Sequence, residues 1–265
     1  MESHEYTLMY ECETHLWWYR GLHELLALLV SRLTGPGAGG LEIFDAGCGT
    51  GRTAEVLAPF GRVTGIDYSS EAIEYCRQRG LTGLQQGDLN VWPFPEDRYD
   101  LIVSLDVLSV RGITDDLAVL ERLYRALKPG GRLILNLPAF PAIYRQHDRA
   151  VANVRRYRRS LIRPQLRKFG FVVEYAGYRL PTLFLIIVAQ KIGQILSAPA
   201  STTVSDVKMP APWINALFLA LHRLENLGIR AGLRYPFGSS LLLVCRKPAG
   251  SPSESASTGS PRSVA

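Results

Sequence analysis

Apolar residues recur at helical spacing from about residue 5 to 33, where Leu22, Leu25, Leu26 and Leu29 share one face. The glycine-rich loop TGPGAGG, residues 34–40, ends that segment. The pattern then changes to short apolar runs separated by helix-like stretches. Strand-like runs lie at Leu41–Ala46, Val63–Ile66, Leu101–Leu105 and Leu133–Leu137, and helix-like stretches at Thr53–Phe60, Ser70–Arg79 and Asp115–Leu127. Such alternation predicts a parallel sheet with helices on both faces. Phe171–Tyr178 and Ser240–Cys245 add two further strands.

An apolar helical insertion, residues 181–236, separates those last two strands. In its first half Phe184, Ile187, Val188, Ile192 and Ile195 fall on one helical face. In its second half Ile214, Leu217, Leu221 and Leu224 do the same, Trp213 opens the helix and Gly228 is the expected terminator. Leu183, Leu185, Ile186, Phe218 and Leu219 lie off those faces, more apolar surface than a small unit readily buries. The stretch could therefore be plain core, a lid over an acceptor, a peripheral membrane contact or a homodimer contact. The predicted organisation is an N-terminal helical segment or lid (1–40), a core (41–180 and 237–247), the insertion (181–236) and a Pro/Ser-rich disordered tail (248–265).

Charge changes this picture in one place. Of 30 Lys and Arg, nine lie between Arg145 and Lys168 with a single acid, Asp148, so this segment holds the whole basic excess of a chain with net charge +6. Cys12, Cys48, Cys76 and Cys245 are scattered without a CxxC pair, which argues against a metal site or a disulfide framework. The N-terminus is acidic where an export signal would be basic, and the apolar run Leu180–Ala189 is too short to span a bilayer. The expectation is a cytoplasmic protein, with peripheral membrane contact as its variant.

The most informative stretch is LEIFDAGCGTGRTAEVLA. A strand ends in Asp45, a loop supplies Gly47, Gly49 and Gly51, and a helix begins. Glycines permit that tight turn and a close approach of ligand to backbone. The second strand, VTGIDYSS, ends in Asp67 followed by Tyr68. An acid there can accept from both hydroxyls of an adenosine ribose, or can cap the following helix. Together DAGCGTGRTAEVLA, GIDYSSEAIEYCR, GDLNVWPFPEDRYDLIVSLDVL and LYRALKPGGRLILNLP resemble, in order and spacing, the motifs of class I S-adenosylmethionine-dependent methyltransferases, most closely the methyltransferase domain type 11 group. The resemblance covers roughly residues 41–138. It implies an α/β, Rossmann-like doubly wound sheet of seven strands with the last antiparallel, and S-adenosylmethionine as cofactor. It also implies that Gly47, Gly49 and Gly51 lie at the methionine moiety and Asp67 at the ribose, with Asp45 and Tyr68 also among the cofactor-binding residues. Asp88 and Leu89 would sit at the adenine, and Asp106 near the methionine end. Asp100, before a buried strand, reads as a structural cap.

Two stretches are placed to meet the acceptor. ECETHLWWYRG carries His15, Trp17, Trp18 and Arg20; one tryptophan, Trp18 on the face of Leu22, is expected to pack inward while the other roofs the ligand. The segment after the fifth strand carries His147, a natural general base, and Asp148, which could orient a partner or take that role. Related sequences often hold a second histidine where this chain has Asn153. The run VRRYRRS, with Arg155, Arg156 and Tyr157, reads as a solvated helix face or as a site for an anionic group. Nucleic-acid binding is disfavoured because only one aromatic interrupts the charges. The expected activity is methyl transfer to a small-molecule or lipid-like acceptor. Its alternatives are an RNA or protein methyltransferase and a non-catalytic S-adenosylmethionine-binding partner protein.

Overall fold

The structure, a computed structural model, describes residues 3–34, 40–144, 146–196 and 210–249. The loop 35–39, the linker 197–209, the tail beyond residue 249 and the side chain of Ile195 lie outside the described residues. Strands β1 (Leu41–Ala46), β2 (Gly61–Asp67), β3 (Leu84–Gln86), β4 (Tyr99–Leu105), β5 (Leu127–Pro138), β6 (Val172–Arg179) and β7 (Ser240–Arg246) form one sheet. Its order is β3-β2-β1-β4-β5-β7-β6. All pairings are parallel except those of β7, which runs antiparallel between β5 and β6. The predicted doubly wound, seven-stranded sheet with an antiparallel last strand is thus the fold observed.

Helices α1 (Ser3–Cys12), α2 (Trp17–Thr34), α3 (Arg52–Leu57), α4 (Ser70–Gln78) and α5 (Asp116–Ala126) surround the first five strands. They are followed by α6 (Gln146–Ala150), α7 (Arg159–Lys168), α8 (Pro181–Leu196) and α9 (Pro212–Arg230). Side chains alternate across each strand, so Phe44, Ile102, Leu135 and Leu243 meet Leu120 and Leu123 of α5 and Leu166 of α7 on one face. Their neighbours Ile43, Val103, Ile134 and Leu242 meet Leu25 and Leu26 of α2, Leu57 of α3 and Ile229 of α9 on the other. Helices α7 and α9 therefore cover opposite faces of the sheet.

Several expectations change. The N-terminal segment is two helices, broken at Glu13–Leu16, and β3 is an edge strand with one buried residue, Leu84. The basic segment contains a helix, α7, seated by Ile162 and Leu166. Gly228 does not terminate α9, which runs on to Arg230; a Cβ there would lie 2.3 Å from the Tyr235 hydroxyl, so the glycine serves packing. The buried side of α9 is Leu219, His222, Glu225, Asn226 and Ile229, and the expected face carrying Leu217 and Leu224 points to solvent. Polar side chains, which apolar periodicity cannot register, occupy the inward stripe. Among the described residues, no helix is long and apolar enough to cross a membrane.

Candidate functional site

The sheet order reverses between β1 and β4, and the crevice at the carboxyl ends of such strands is where doubly wound folds bind ligands. A cavity of about 1140 Å³ lies there. At one end it is lined by Gly47, Cys48, Gly49, Asp67, Tyr68, Asp88 and Leu89, and over them by Tyr6 and Met9 of α1. At the other end stand Trp17 and Trp18, Asp106, His147 and Asp148, Leu183 and Ile187 of α8, Phe218 of α9, and Ser239 and Ser240.

The glycine turn is forced by its surroundings. Gly47, Gly49 and Gly51 have φ of 91°, 51° and 90°, a region that costs other residues energy. A Cβ on Gly47 would lie 2.3 Å from Val107, and one on Gly49 2.9 Å from Met9. Backbone N–H groups of Gly47 and Cys48 donate to Ile66 O, at 2.9 and 3.0 Å, which hooks the turn onto β2. Asp67 Oδ2 accepts from Gly49 N–H at 2.9 Å, and its Oδ1 from Ser69 N–H at 3.0 Å and the Tyr6 hydroxyl at 3.3 Å. The cap of α4 is Ser69, whose side chain accepts from Ala72 N–H, so Asp67 is left to face the cavity. Asp88 is braced by Asn90, whose backbone and side-chain N–H groups donate to Oδ1 at 2.8 and 2.7 Å.

Not every expected residue borders the cavity. Asp45 lies beneath the turn, buried, and its burial, with the Asp67 carboxylate nearby, pushes its pKa up to about 8. Gly51 is the N-cap of α3. His15 is exposed and offers its backbone carbonyl to Asn215 Nδ2 at 2.9 Å, while Arg20 projects from α2 near Glu24. Asp100 is structural, accepting from Glu42 N–H and from Lys128 Nζ at 2.9 and 2.7 Å. Both tryptophans line the cavity, and it is Trp17, not Trp18, that wedges against α9, stacked on Phe218 at 5.1 Å and edge-on to His222 at 5.9 Å.

The VRRYRRS run folds inward rather than forming one charged face. Arg156 makes a bidentate pair with Asp148, at 2.9 and 3.0 Å, and donates to Ala139 O. Both side chains of this ion pair are buried. Arg155 donates to Leu108 O and Thr114 O, and the Tyr157 hydroxyl to Asp116 at 2.8 Å. Asn153 accepts from the Ser109 hydroxyl at 2.6 Å.

Three features escaped the sequence. Glu13, in the break between α1 and α2, accepts from the Thr50 hydroxyl and from Arg79, which also holds Glu55 at 2.9 Å; this fastens the N-terminal helices to the glycine turn. His23 lines the cavity and is held neutral, its pKa lowered to about 4 by burial and nearby guanidinium groups. A buried chain runs from α9 to the cavity wall: Arg179 contacts His222 Nε2 at 2.7 Å and donates to Asn136 Oδ1 at 2.8 Å, and Asn136 Nδ2 donates to Asp106 Oδ2 at 2.8 Å. Asp106 sits at φ 59°, and burial raises its pKa to about 6 against the opposing Asn136 bond and Arg179 charge. These residues are scattered in sequence, and nothing in local periodicity links them.

Comparison with known proteins agrees with this geometry. A family model described as a methyltransferase domain matches residues 43–131. Over 131 residues the chain is 29% identical to the demethylmenaquinone methyltransferase of Listeria monocytogenes serotype 4a (strain HCC23), a stretch covering 43% of this chain and 54% of that one. Over 124 residues it is 34% identical to the trans-aconitate 2-methyltransferase of Paracidovorax citrulli (strain AAC00-1), covering 45% of each. The chain thus spans about half the length of the curated relatives it matches. Among solved structures it is similar to Haemonchus contortus phosphoethanolamine N-methyltransferase 2 in complex with S-adenosyl-L-methionine, with TM-score 0.53, 18% identity and coverage of 85% of this chain and 52% of that one.

Proposed function

Since residues 43–131 form a methyltransferase domain of the class I, S-adenosylmethionine-dependent type, we propose that this protein transfers a methyl group from S-adenosylmethionine to a small, largely apolar acceptor. One observation carries the reading: a single cavity joins the glycine turn and its acids to a wall of Trp17, Trp18, Leu183, Ile187 and Phe218. At about 1140 Å³ it exceeds the roughly 300–1,000 Å³ usual for one ligand, leaving room for cofactor and acceptor together. The two curated relatives named above have names that specify small-molecule acceptors.

The residues present fit the cofactor. The turn that would meet a Cβ with Val107 or Met9 is the close-approach surface that the methionine part needs. Asp67 and Asp88 line the cavity and would accept from the ribose hydroxyls and the adenine amine. S-adenosylmethionine supplies an already activated, electrophilic methyl group when bound. The protein's own work is then proximity and alignment, with a proton acceptor for hydroxyl or amine nucleophiles. His147 and Asp106 both stand on the acceptor end of the wall; we assign the proton-accepting role to His147, with Asp148 and Arg156 fixing the segment that carries it.

An RNA acceptor is disfavoured. Arg155 and Arg156 are spent on internal contacts, and no residue of the basic helix α7 borders the cavity. The test is transfer of a radiolabelled methyl group from S-adenosylmethionine into separated lipid, small-molecule, RNA and protein fractions. Label in the lipid or small-molecule fraction is expected. Label confined to RNA or protein would overturn the acceptor class, and no transfer despite tight binding would make the chain a silent binder.

A further inference from the structure

Every turn of α9 presents an apolar residue to solvent. Trp213, Leu217, Ala220, Leu224 and Leu227 repeat at steps of three and four along its outer side, and the large ones are 50–70% exposed. An outward stripe over the length of a 19-residue helix is not the scatter of single apolar residues found on ordinary surfaces. The inner side of the helix is already committed to α2. Asn226 Nδ2 donates to Gly21 O at 2.8 Å, Trp17 N–H donates to Asn215 Oδ1 at 2.9 Å, and Arg32 donates to Arg230 O at 2.7 Å. The two helices run side by side in the same direction, and Leu28 of α2 extends the exposed apolar surface.

Charge around the stripe is net positive. Arg20 and Arg32 of α2 and Arg223 and Arg230 of α9 flank it, against a single carboxylate, Glu24, which Arg223 grips at 2.7 and 2.8 Å. The other acid in these two helices, Glu225, is buried. We propose that the outer face of α9, with the adjoining edge of α2, is a docking surface for an anionic lipid bilayer. Apolar side chains with guanidinium groups beside them, which can reach up to headgroups, are what an interfacial helix needs. A second copy of the chain suits the face less well, because a two-fold contact would set the same arginine-rich edge against itself.

The basic helix α7 takes no part, since it lies on the other face of the sheet. The geometry also gives docking a use. Phe218, on the inner side of the same helix, lines the cavity, and Leu183 and Ile187 of α8 continue that apolar wall. Docking itself stands without the methyl-transfer reading; delivery of an apolar acceptor from the bilayer rests on it.

The experiment is co-sedimentation of the full chain with phosphatidylglycerol/phosphatidylcholine vesicles and with pure phosphatidylcholine vesicles, at low and moderate salt. Binding should favour the anionic vesicles and weaken as salt rises. Leu217→Glu combined with Leu224→Glu changes exposed positions only, so its melting temperature should stay near wild type while vesicle binding falls at least tenfold. A wild-type chain left in the supernatant at low salt, or a folded double variant that sediments like wild type, overturns the proposal. A dimer seen by light scattering that the double variant abolishes, without vesicle binding, reassigns the face to a second copy and overturns it as well. Calorimetry with S-adenosylmethionine on the same preparations reports on the transfer reading separately, because neither substituted residue lines the cavity.

Discussion

Gly21 lies inside α2 where the helix meets α9, and replacing it with alanine sets two terms against each other. In an isolated helix the change stabilises by about 0.5–1 kcal/mol, because glycine loses more backbone freedom on folding. Here the new Cβ would fall 1.9 Å from His222 Nδ1 and within 2.5 Å of two other ring atoms. The ring cannot swing aside: it is buried, its Nε2 contacts Arg179 at 2.7 Å, and Trp17 stands edge-on to it. Overpacking of a fixed core costs about 1–3 kcal/mol, occasionally more, and so close a contact belongs at the upper end. The net expectation is a loss of about 2 kcal/mol, or about 4–8 °C in melting temperature for a chain of this size. Thermal unfolding followed by circular dichroism measures it, in a double-mutant cycle with His222→Ala. The cycle should show that most of the Gly21→Ala penalty disappears once the ring is gone. A variant that melts at or above wild type would refute the packing of α2 on α9, and with it the placing of Trp17 on the cavity wall.

Asp67→Ala should weaken S-adenosylmethionine binding by about 10- to 150-fold in calorimetry, the worth of charged hydrogen bonds at about 1.5–3 kcal/mol; unchanged affinity would make Asp67 merely a brace for Gly49 and Ser69. His147→Ala should lower turnover on the acceptor by about 10²–10⁴-fold with cofactor affinity intact, and a change of only a few-fold would pass the role to Asp106. Asp45 has its folded pKa raised to about 8 by burial, well above its unfolded value of about 3.9. Its contribution to stability is therefore complete below that unfolded value and is lost as pH rises through about 8. The melting temperature of Asp45→Asn should thus gain on wild type between pH 5 and pH 8; a constant gap would show that Asp45 is already ionised in the fold.

Most of the sheet was legible because its signals are local. Runs such as Leu41–Ala46 and Leu133–Leu137 are apolar on both faces, as strands covered by helices must be. The glycine turn and Asp67 could be placed by their position at strand ends. What escaped depended on partners distant in sequence. Strand β3 buries one residue, and α7 looks like a charge run because only Ile162 and Leu166 seat it. The orientation of α9 differs because His222, Glu225 and Asn226 face inward, where they contact Arg179, Thr182 and Gly21. The ion pair of Asp148 with Arg156 escaped for the same reason, since nothing in the local pattern announces it.

These buried polar contacts bear on what the insertion does. Glu225 of α9 accepts from both the backbone N–H and the hydroxyl of Thr182 at the start of α8, at 3.3 and 2.9 Å, so the two helices are tied together beside the cavity. From His222 the chain of contacts continues through Arg179 and Asn136 to Asp106. His222 is held neutral, its pKa lowered to about 3 by burial and by the Arg179 charge, so its Nε2 can accept from the guanidinium. Arg179, fully buried, is in turn one of the charges that lower the Asp106 pKa against the larger opposing effect of burial. A helix that shapes the apolar wall is therefore also wired to a carboxylate on the same wall. Variation along the inner side of α9 should alter acceptor fit and the ionisation of Asp106 together, whereas variation along its outer side should alter neither.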